Sequence, residues 1–352
     1  MKKFTIKKFS SGMIAILSVL SFSSMASAHE HPGYSHDKEI GYTNSNWMSQ
    51  INDSVRFSDL SIPGTHDTMS TGYGGDIAQT QSMSLQAQLD AGIRYIDIRC
   101  RYTDGLFAIH HGSIFLHTMF GDVLNTTTQF LDNHPGETIF MRVKQEHSSV
   151  SNDIFNQTLK EYMDRYPGYF FDSQNRTNTD PTLEEMRGKI VILLNVGGSN
   201  VGLNYPHDFN IQDDYNLPTN WDLHDKWLKV KTQLNMANTA HQAMSRKKII
   251  NYLSGSGGAF PYFVASGHSN PATGAPRLAT GLTTPGWSNS YLDFPRVDCF
   301  IGICTIPFEG TNVLTTNYIA EKPFNYIGIV VSDFPGRGLI NNVISVNKNL
   351  SF

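Results

Sequence analysis

Cysteine is scarce in this sequence: three residues in 352, namely Cys100, Cys299 and Cys304. So few exclude a scaffold built on disulfides and a cysteine-rich metal centre. Cys299 and Cys304 stand close enough to close a small loop in an oxidising compartment, whereas Cys100 has no evident partner. Charge is also sparse, at 16%, and its excess is acidic, with 31 Asp and Glu against 27 Lys and Arg. That sign argues against nucleic acid as a partner. Past the N-terminus no apolar run approaches the ~20 residues needed to span a bilayer, so any lipid contact would be peripheral. Neither an internal repeat nor a second domain is visible. What the chain does have is hydrophobic residues, 39% of the total, enough for one large core and too many for a disordered or fibrous polymer.

The first residues have the pattern of an export signal. Lys2, Lys3, Lys7 and Lys8 precede an apolar run from Met13 to Phe22, and Ala26-Ser27-Ala28 follows as a small-residue cleavage site. The apolar run is about half of the ~20 residues a transmembrane helix requires. Residues 1–28 are therefore expected to be a cleaved signal peptide and the mature protein to be soluble and secreted. Loss of the four lysines takes the formal net charge from −4 to −8. The polar, His-containing stretch 29–45 is expected to be a flexible mature N-terminus.

From residue 46 onward short β-rich runs alternate with helical patterns. Strand candidates are 60–62, 95–99, 107–110, 138–143, 190–194, 209–212, 248–253 and 326–332. Helical patterns cover 84–91, 116–133, 154–165, 221–246 and 339–346. Strand-then-helix alternation with this strand count predicts an α/β fold, a single-domain (β/α)₈ barrel of the TIM type. It should be irregular. The link from Arg99 to Phe107 is a hairpin-length turn carrying Asp104-Gly105, and the link from Asn195 to Phe209 is rich in Gly and Asn. A Gly/Pro/Ser/Thr-rich stretch without strong periodicity, about 256–322, is far longer than an ordinary connection and is expected to be an inserted flap.

The polar residues cluster where these strands end. His66 and Asp67 follow the first, Arg99 ends the second, His110 and His111 close the third, and Lys144 and Glu146 follow the fourth. Asn195 follows the fifth, Asp213 and Tyr215 the sixth, Ser254 and Ser256 the seventh, and Asp333 the eighth. In a closed parallel barrel all such ends share one rim, where catalytic groups of this architecture sit. A lone histidine or strand-end acid is an ordinary structural feature, but their joint placement points to an enzyme site.

The residue types suit phosphoryl transfer without a bound cation. Two histidines, with an unperturbed pKa of about 6.5, can serve as general base and general acid near neutral pH. Arg99 offers a permanent forked cation that can bind two phosphate oxygens and neutralise charge growing on them, the task Mg²⁺ or Ca²⁺ otherwise performs. A guanidinium there would repel Ca²⁺. Adjacent His110 and His111 point to opposite faces of a strand, which weakens a Zn²⁺ site built from them and His66. No metal and no cofactor are expected.

Three segments, Ser61-Ile62-Pro63-Gly64-Thr65-His66-Asp67, Tyr95-Ile96-Asp97-Ile98-Arg99 and Ile109-His110-His111-Gly112, resemble in order and spacing the X domain of phosphatidylinositol-specific phospholipases C. The likeness is greatest to the small secreted bacterial enzymes. Similar stretches continue at Glu137-Thr138-Ile139 with Lys144-Gln145-Glu146, at Arg187-Gly188-Lys189-Ile190-Val191, at Gln212-Asp213-Asp214-Tyr215 and in the last strand ending at Asp333. The resemblance implies a distorted, metal-independent barrel and assigns roles by motif. His66 would take the proton of the inositol 2-hydroxyl, Asp333 would orient and charge-stabilise His66, and Arg99 would hold the phosphate. His111, assisted by Asp67, would be the general acid toward the departing diacylglycerol oxygen. Lys144 and Asp213 would grip inositol hydroxyls, and Tyr215 would cover the ring face. The implied products are diacylglycerol and inositol 1,2-cyclic phosphate, which opens slowly to inositol 1-phosphate. The implied partner is phosphatidylinositol in a membrane surface, with glycosyl-phosphatidylinositol anchors as a further substrate class and no protein partner.

Departures from the family pattern matter. An arginine that contacts inositol hydroxyls in the bacterial pattern is replaced here by Asn195, which keeps hydrogen bonding and loses charge. The interfacial tryptophan after the first histidine has no counterpart between Met69 and Met83, where Tyr73 and Ile77 stand instead. Phe260 replaces the second, in a segment that also offers Tyr262, Phe263 and Trp287 as membrane contacts. Two other functions fit a polar barrel rim: a metal-dependent glycerophosphodiester phosphodiesterase, and a non-catalytic barrel that binds a lipid headgroup.

Overall fold

The computed structural model describes residues 30–174, 177–198 and 200–351; the expected signal peptide lies outside them. Parallel strands covered on both faces read as unbroken apolar runs, as in Ile190-Val191-Ile192-Leu193-Leu194, all buried. In chain order the strands are β1 (Ile62–Thr65), β2 (Tyr95–Thr103), β3 (Leu106–His111), β4 (Ile114–Met119), β5 (Ile139–Gln145), β6 (Ile190–Asn195), β7 (Leu203–Asn204) and β8 (Phe209–Gln212). They continue with β9 (Asn216–Leu217), β10 (Lys248–Tyr252), β11 (Ser256–Gly257), β12 (Ala279–Thr283), β13 (Val297–Phe300), β14 (Ile303–Pro307) and β15 (Ile329–Ser332). The helices are α1 (Leu85–Ala91), α2 (Phe120–Asn133), α3 (Asn152–Asp164), α4 (Leu183–Met186), α5 (Leu223–Gln242), α6 (Pro261–Ser266), α7 (Thr311–Glu321) and α8 (Arg337–Ser345). None among the described residues is long and apolar enough to cross a membrane.

Eight strands pair in parallel in the spatial order β7-β6-β5-β2-β1-β15-β10-β8, the irregular α/β barrel expected from the sequence. Among the described residues no ladder joins β7 to β8. The chain crosses that seam in a tight turn, in which the Asp208 and Phe209 amides donate to the Asn204 and Pro206 carbonyls. Helices α1, α2 and α3 cover one side of the sheet, and α5 to α8 pack over another. The barrel interior is filled by Ile62, Tyr95, Phe140, Leu193, Tyr252 and Val331, and Phe57 stacks on Phe140 at 4.2 Å.

Several expectations need correction. The run 107–110 is not a barrel strand: it lies in β3, which pairs antiparallel with β2 across the Asp104-Gly105 turn. A two-residue connection can only fold back on its own strand, because a parallel neighbour needs a crossover of a dozen residues or more. The two-residue β7, invisible in the sequence, takes the missing barrel position. The helix expected at 116–133 begins only at Phe120, since 114–119 form β4. The stretch 29–45 is anchored where it is described: Tyr34 is 2% exposed, its hydroxyl donates to the Pro271 carbonyl at 2.6 Å, and it bridges to Pro335. The segment 256–322 is no single flap. Helix α6 is wholly buried and α7 packs against α5, α6 and α8, which leaves a three-stranded antiparallel sheet, β12-β14-β13, as the part outside the barrel wall.

Candidate active site

Alternate residues of a barrel strand face inward, and this parity builds the site. On β2 the inward series is Tyr95, Asp97, Arg99, and on β5 it is Phe140, Arg142, Lys144. β6 leads through Leu193 to Asn195, β1 through Ile62 and Gly64 to His66, and β15 through Ile329 and Val331 to Asp333. Each series starts on a residue of the apolar interior and ends on a polar one at the C-terminal rim. Gly64 is required in its series, because a Cβ there would meet the Tyr95 ring at 2.8 Å. Past the strand ends, Gln81 Nε2 donates to the His66 and Ser332 carbonyls at 2.8 and 3.0 Å, tying β1 to β15. The rim encloses a cavity of about 370 Å³ into which His66, Arg99, His111, Lys144, Asp213 and Tyr215 reach.

His66 Nδ1 lies 2.8 Å from Asp333 Oδ1, and its Nε2 lies 2.7 Å from Arg99 Nη2. Arginine only donates, so Nε2 accepts and the ring proton sits on Nδ1, directed at Asp333. Burial, then the Arg99 charge, hold the imidazole well below its ordinary 6.5. His66 is thus neutral at physiological pH, with its basic nitrogen beside the guanidinium. Burial, then repulsion from Asp67, push the Asp333 carboxyl the other way, upward.

Arg99 occupies the floor between the two histidine segments. It meets Asp67 Oδ2 at 3.3 Å, Asp97 Oδ2 at 3.3 and 3.4 Å, and Glu146 Oε1 at 3.8 Å. Burial opposes its charge, but Asp67 and Asp97 outweigh that and raise its pKa further. Burial would likewise raise Asp97, yet the Arg142 and Arg99 guanidiniums hold it well below the usual carboxylate range. Acids that might have gathered a divalent ion are therefore already neutralised by guanidinium. Among the described residues no three His, Cys, Asp or Glu side chains converge so as to hold a metal.

The antiparallel β3 swings its last residue over this floor. His111 Nδ1 donates to the Ala78 carbonyl at 2.8 Å and stands 3.3 Å from Asp67 Oδ2, leaving Nε2 for the cavity. His110, one residue earlier, is 3% exposed and packs against Phe115 and His147 at 5.6 and 6.1 Å. The far wall carries Lys144, 2.9 Å from Glu146 Oε2, and Tyr215, 60% exposed with a face free to cover a ring. Burial raises the Asp213 carboxyl, against the pull of Lys226. Lys226 is buried, which lowers its amine to about 7, and it donates to Gln212 Oε1 at 3.2 Å.

Asn195 does not reach the cavity; Arg142 does. Asn195 Oδ1 accepts from Arg142 Nη2 and Nε at 2.7 and 3.2 Å. The same guanidinium donates to Asp97 Oδ1 and to the Tyr252 hydroxyl, both at 3.2 Å, and lies 4.4 Å above the Tyr205 ring. Sequence reasoning passed over Arg142, although a signal existed. It is the charge inside the buried run Ile139-Phe140-Met141-Arg142-Val143, and burial of a charge is tolerated only where partners compensate it. Ser254, placed on the rim by the sequence without a role, lines the cavity, and its buried Oγ has no hydrogen-bond partner.

Of the aromatics expected at a lipid surface, Tyr262 and Phe263 are corrected to buried, at 8% and 3% exposure. Helix α6 lies inside the outer helical layer, with Phe263 edge-on to Phe308 at 5.3 Å. Phe260 and Trp287 are exposed, as are Tyr73 and Ile77.

The sequence model of the phosphatidylinositol-specific phospholipase C X domain matches residues 56–195, the stretch that carries His66, Arg99 and His111. The chain is 37% identical to a 1-phosphatidylinositol phosphodiesterase of Listeria monocytogenes over 331 residues, 87% of this chain and 86% of the relative. A 1-phosphatidylinositol phosphodiesterase of Staphylococcus aureus is 30% identical over 276 residues, 69% of this chain and 86% of the relative. The solved phosphatidylinositol-specific phospholipase C of L. monocytogenes aligns with a TM-score of 0.63 at 31% identity, over 87% of this chain and 99% of that one. Barrel, rim and relatives together define a phospholipase of the C type. The chain belongs to the phosphatidylinositol-specific phospholipases C.

Proposed function

We propose that this phospholipase acts outside the cell and cleaves phosphatidylinositol by intramolecular phosphoryl transfer. His66 Nε2 takes the proton of the inositol 2-hydroxyl, and that oxygen attacks phosphorus. The bond from phosphorus to the diacylglycerol oxygen breaks, and His111 Nε2 gives its proton to the departing oxygen. Diacylglycerol and inositol 1,2-cyclic phosphate leave, and the cyclic ester is later opened slowly by water with the two histidines in exchanged roles. Asp333 stabilises the His66 imidazolium, and Asp67 does the same for His111. The forked Arg99 neutralises charge on the phosphate oxygens in the transition state.

The observation that carries this reading is the 2.7 Å contact between neutral His66 Nε2 and Arg99 Nη2. Base and phosphate-binding cation stand side by side. A phosphate oxygen that takes over the Arg99 N–H frees Nε2 for the hydroxyl. Lys144 and Asp213 take ring hydroxyls and Tyr215 covers the apolar face of the ring. Arg142, coming from the strand next to Asn195, supplies the charge that Asn195 lacks. Export through residues 1–28, membrane contact through Phe260 and Trp287, and cleavage of glycosyl-phosphatidylinositol anchors belong to the same reading.

Phosphorus NMR tests it. With phosphatidylinositol in excess EDTA the protein should give the cyclic diester first and the monoester later, and His66→Ala should slow the reaction at least about 10²-fold. Direct appearance of the monoester, chelator sensitivity, or a His66→Ala loss under about tenfold overturns the mechanism.

A further inference from the structure

The tip of the β13–β14 hairpin is an exposed apolar feature that the catalytic site does not use. Phe300, Ile301 and Ile303 are 75%, 84% and 51% exposed. Phe300 pairs with Ile303, and the turn between them is Ile301-Gly302. Ile301 has φ +49 and Gly302 φ +77, the left-handed pair of a two-residue hairpin turn in which Asn, Asp or Gly ordinarily stands. A β-branched residue is sterically disfavoured there, and with its side chain in solvent the fold recovers nothing for it. The Cys299–Cys304 disulfide closes the loop at its base, so the tip is held ready-formed. The Thr284 hydroxyl accepts from the Cys304 amide at 2.9 Å and donates to the Gly302 carbonyl at 3.3 Å. These bonds seat the neighbouring turn, which carries exposed Trp287, against the same hairpin.

The excursion bearing this hairpin leaves the barrel after β10, directly past Ser254 and Ser256 of the cavity wall, and returns into α7. Its return is tied to the same rim, where the Thr311 hydroxyl donates to the Leu253 carbonyl at 2.9 Å and Asn312 Nδ2 to the Asp333 carbonyl at 2.8 Å. Residues 297–307 contain no Lys or Arg and a single acid, Asp298. Arg296 is turned onto the Ser290, Tyr291 and Phe294 carbonyls. An apolar, ready-formed tip with one acid at its base and no basic residue fits a hydrocarbon layer and not a charged partner.

We propose that Phe300 and Ile301, with Ile303, form a membrane-docking tip that enters the acyl region of a lipid bilayer by apolar contact, independently of lipid charge. This rests on the phospholipase reading, because a substrate embedded in a bilayer brings the catalytic rim to that bilayer at every turnover. Sedimentation with phosphatidylcholine vesicles, with and without phosphatidylinositol, compares the wild type with Phe300→Ser/Ile301→Ser. Partitioning of the variant should be weaker by about tenfold or more, since two large side chains lose their burial. Binding of the wild type should persist at high salt, and turnover of a short-chain, monomeric phosphatidylinositol should be equal in the two. As a second readout, the fluorescence of Phe300→Trp should be quenched by brominated acyl chains. Equal partitioning of variant and wild type, or no quenching on bound vesicles, overturns the proposal. So does a variant that loses only self-association, which would make the tip a contact between copies. Failure of the wild type to turn over the monomeric substrate would strike the activity reading and leave the partitioning measurement decisive for the tip.

Discussion

Two arginines of the β2 segment, one just before the strand and one at its middle, separate what holds this molecule together from what makes it react. Arg94, just before the strand, is 0% exposed and uses every donor: Glu137 at 2.8 Å, the Leu89 and Ile93 carbonyls at 2.8 Å and the Ser45 carbonyl at 2.7 Å. Glu137 in turn accepts from the Met48 and Ser49 amides at 3.3 and 2.9 Å. One charge meets one countercharge, and the pair is sealed. Arg99, at mid-strand, faces Asp67, Asp97 and Glu146 at 3.3 to 3.8 Å, plus a neutral histidine, at the floor of an open cavity. Its carboxylate contacts are long and exchangeable. Saturated bonds mark a structural charge, whereas loose bonds to surplus acid beside a cavity mark one that changes partners.

Substitutions can break that contrast. Arg94→Ala strands a buried Glu137 and should destabilise the fold by about 3–5 kcal/mol, read from urea denaturation, with turnover per folded molecule intact. A loss of turnover at unchanged stability would erase the distinction. Arg99→Lys, which keeps a charge beside buried Asp67 and Asp97 but loses the fork, should do the opposite, lowering kcat by about 10²-fold while the unfolding midpoint moves little. Arg142→Gln, between these extremes, should raise KM for a monomeric phosphatidylinositol by about tenfold, the scale of one charge-assisted hydrogen bond. An unchanged KM would return the inositol contact to Asn195.

The pH response is the finest of these tests. Folded His66 protonates only well below 6.5, so kcat/KM should hold level as pH falls through about 6.5 and drop only at lower values. In the unfolded chain the same imidazole takes its proton near 6.5. Stability from this group is therefore full above about 6.5 and declines as pH falls toward the folded pKa. An acid limb centred above about 6.5 would show that Arg99 does not hold the base neutral.

The catalytic rim was legible because parity and motif agree: His66 and Asp333 follow apolar strands, and Arg99 closes the motif Tyr95-Ile96-Asp97-Ile98-Arg99. The excursion was not. Helix α7 buries Thr311, Asn312, Thr315 and Thr316 along with Val313, Leu314 and Ile319. A helix buried nearly all round on small polar residues carries no amphipathic stripe to detect. β7 is two residues long, below any periodic signal, and its existence depends on β6 beside it. The run 107–110 was misplaced although its Asp104-Gly105 turn already demanded a hairpin. Tyr262 and Phe263 show the converse limit, since aromatic residues read alike in a sequence whether they face lipid or a neighbouring helix.

The hydrogen bond from His66 to Asp333 joins residues 267 apart in sequence, and β1 is flanked by β15, the final strand. A ribosome must have added a further 267 residues after His66 before the imidazole finds its carboxylate. A chain interrupted in synthesis, or clipped ahead of β15, would carry both histidines and the guanidinium yet possess no oriented base. Under the proposed mechanism a competent base therefore waits on the docking of β15 against β1.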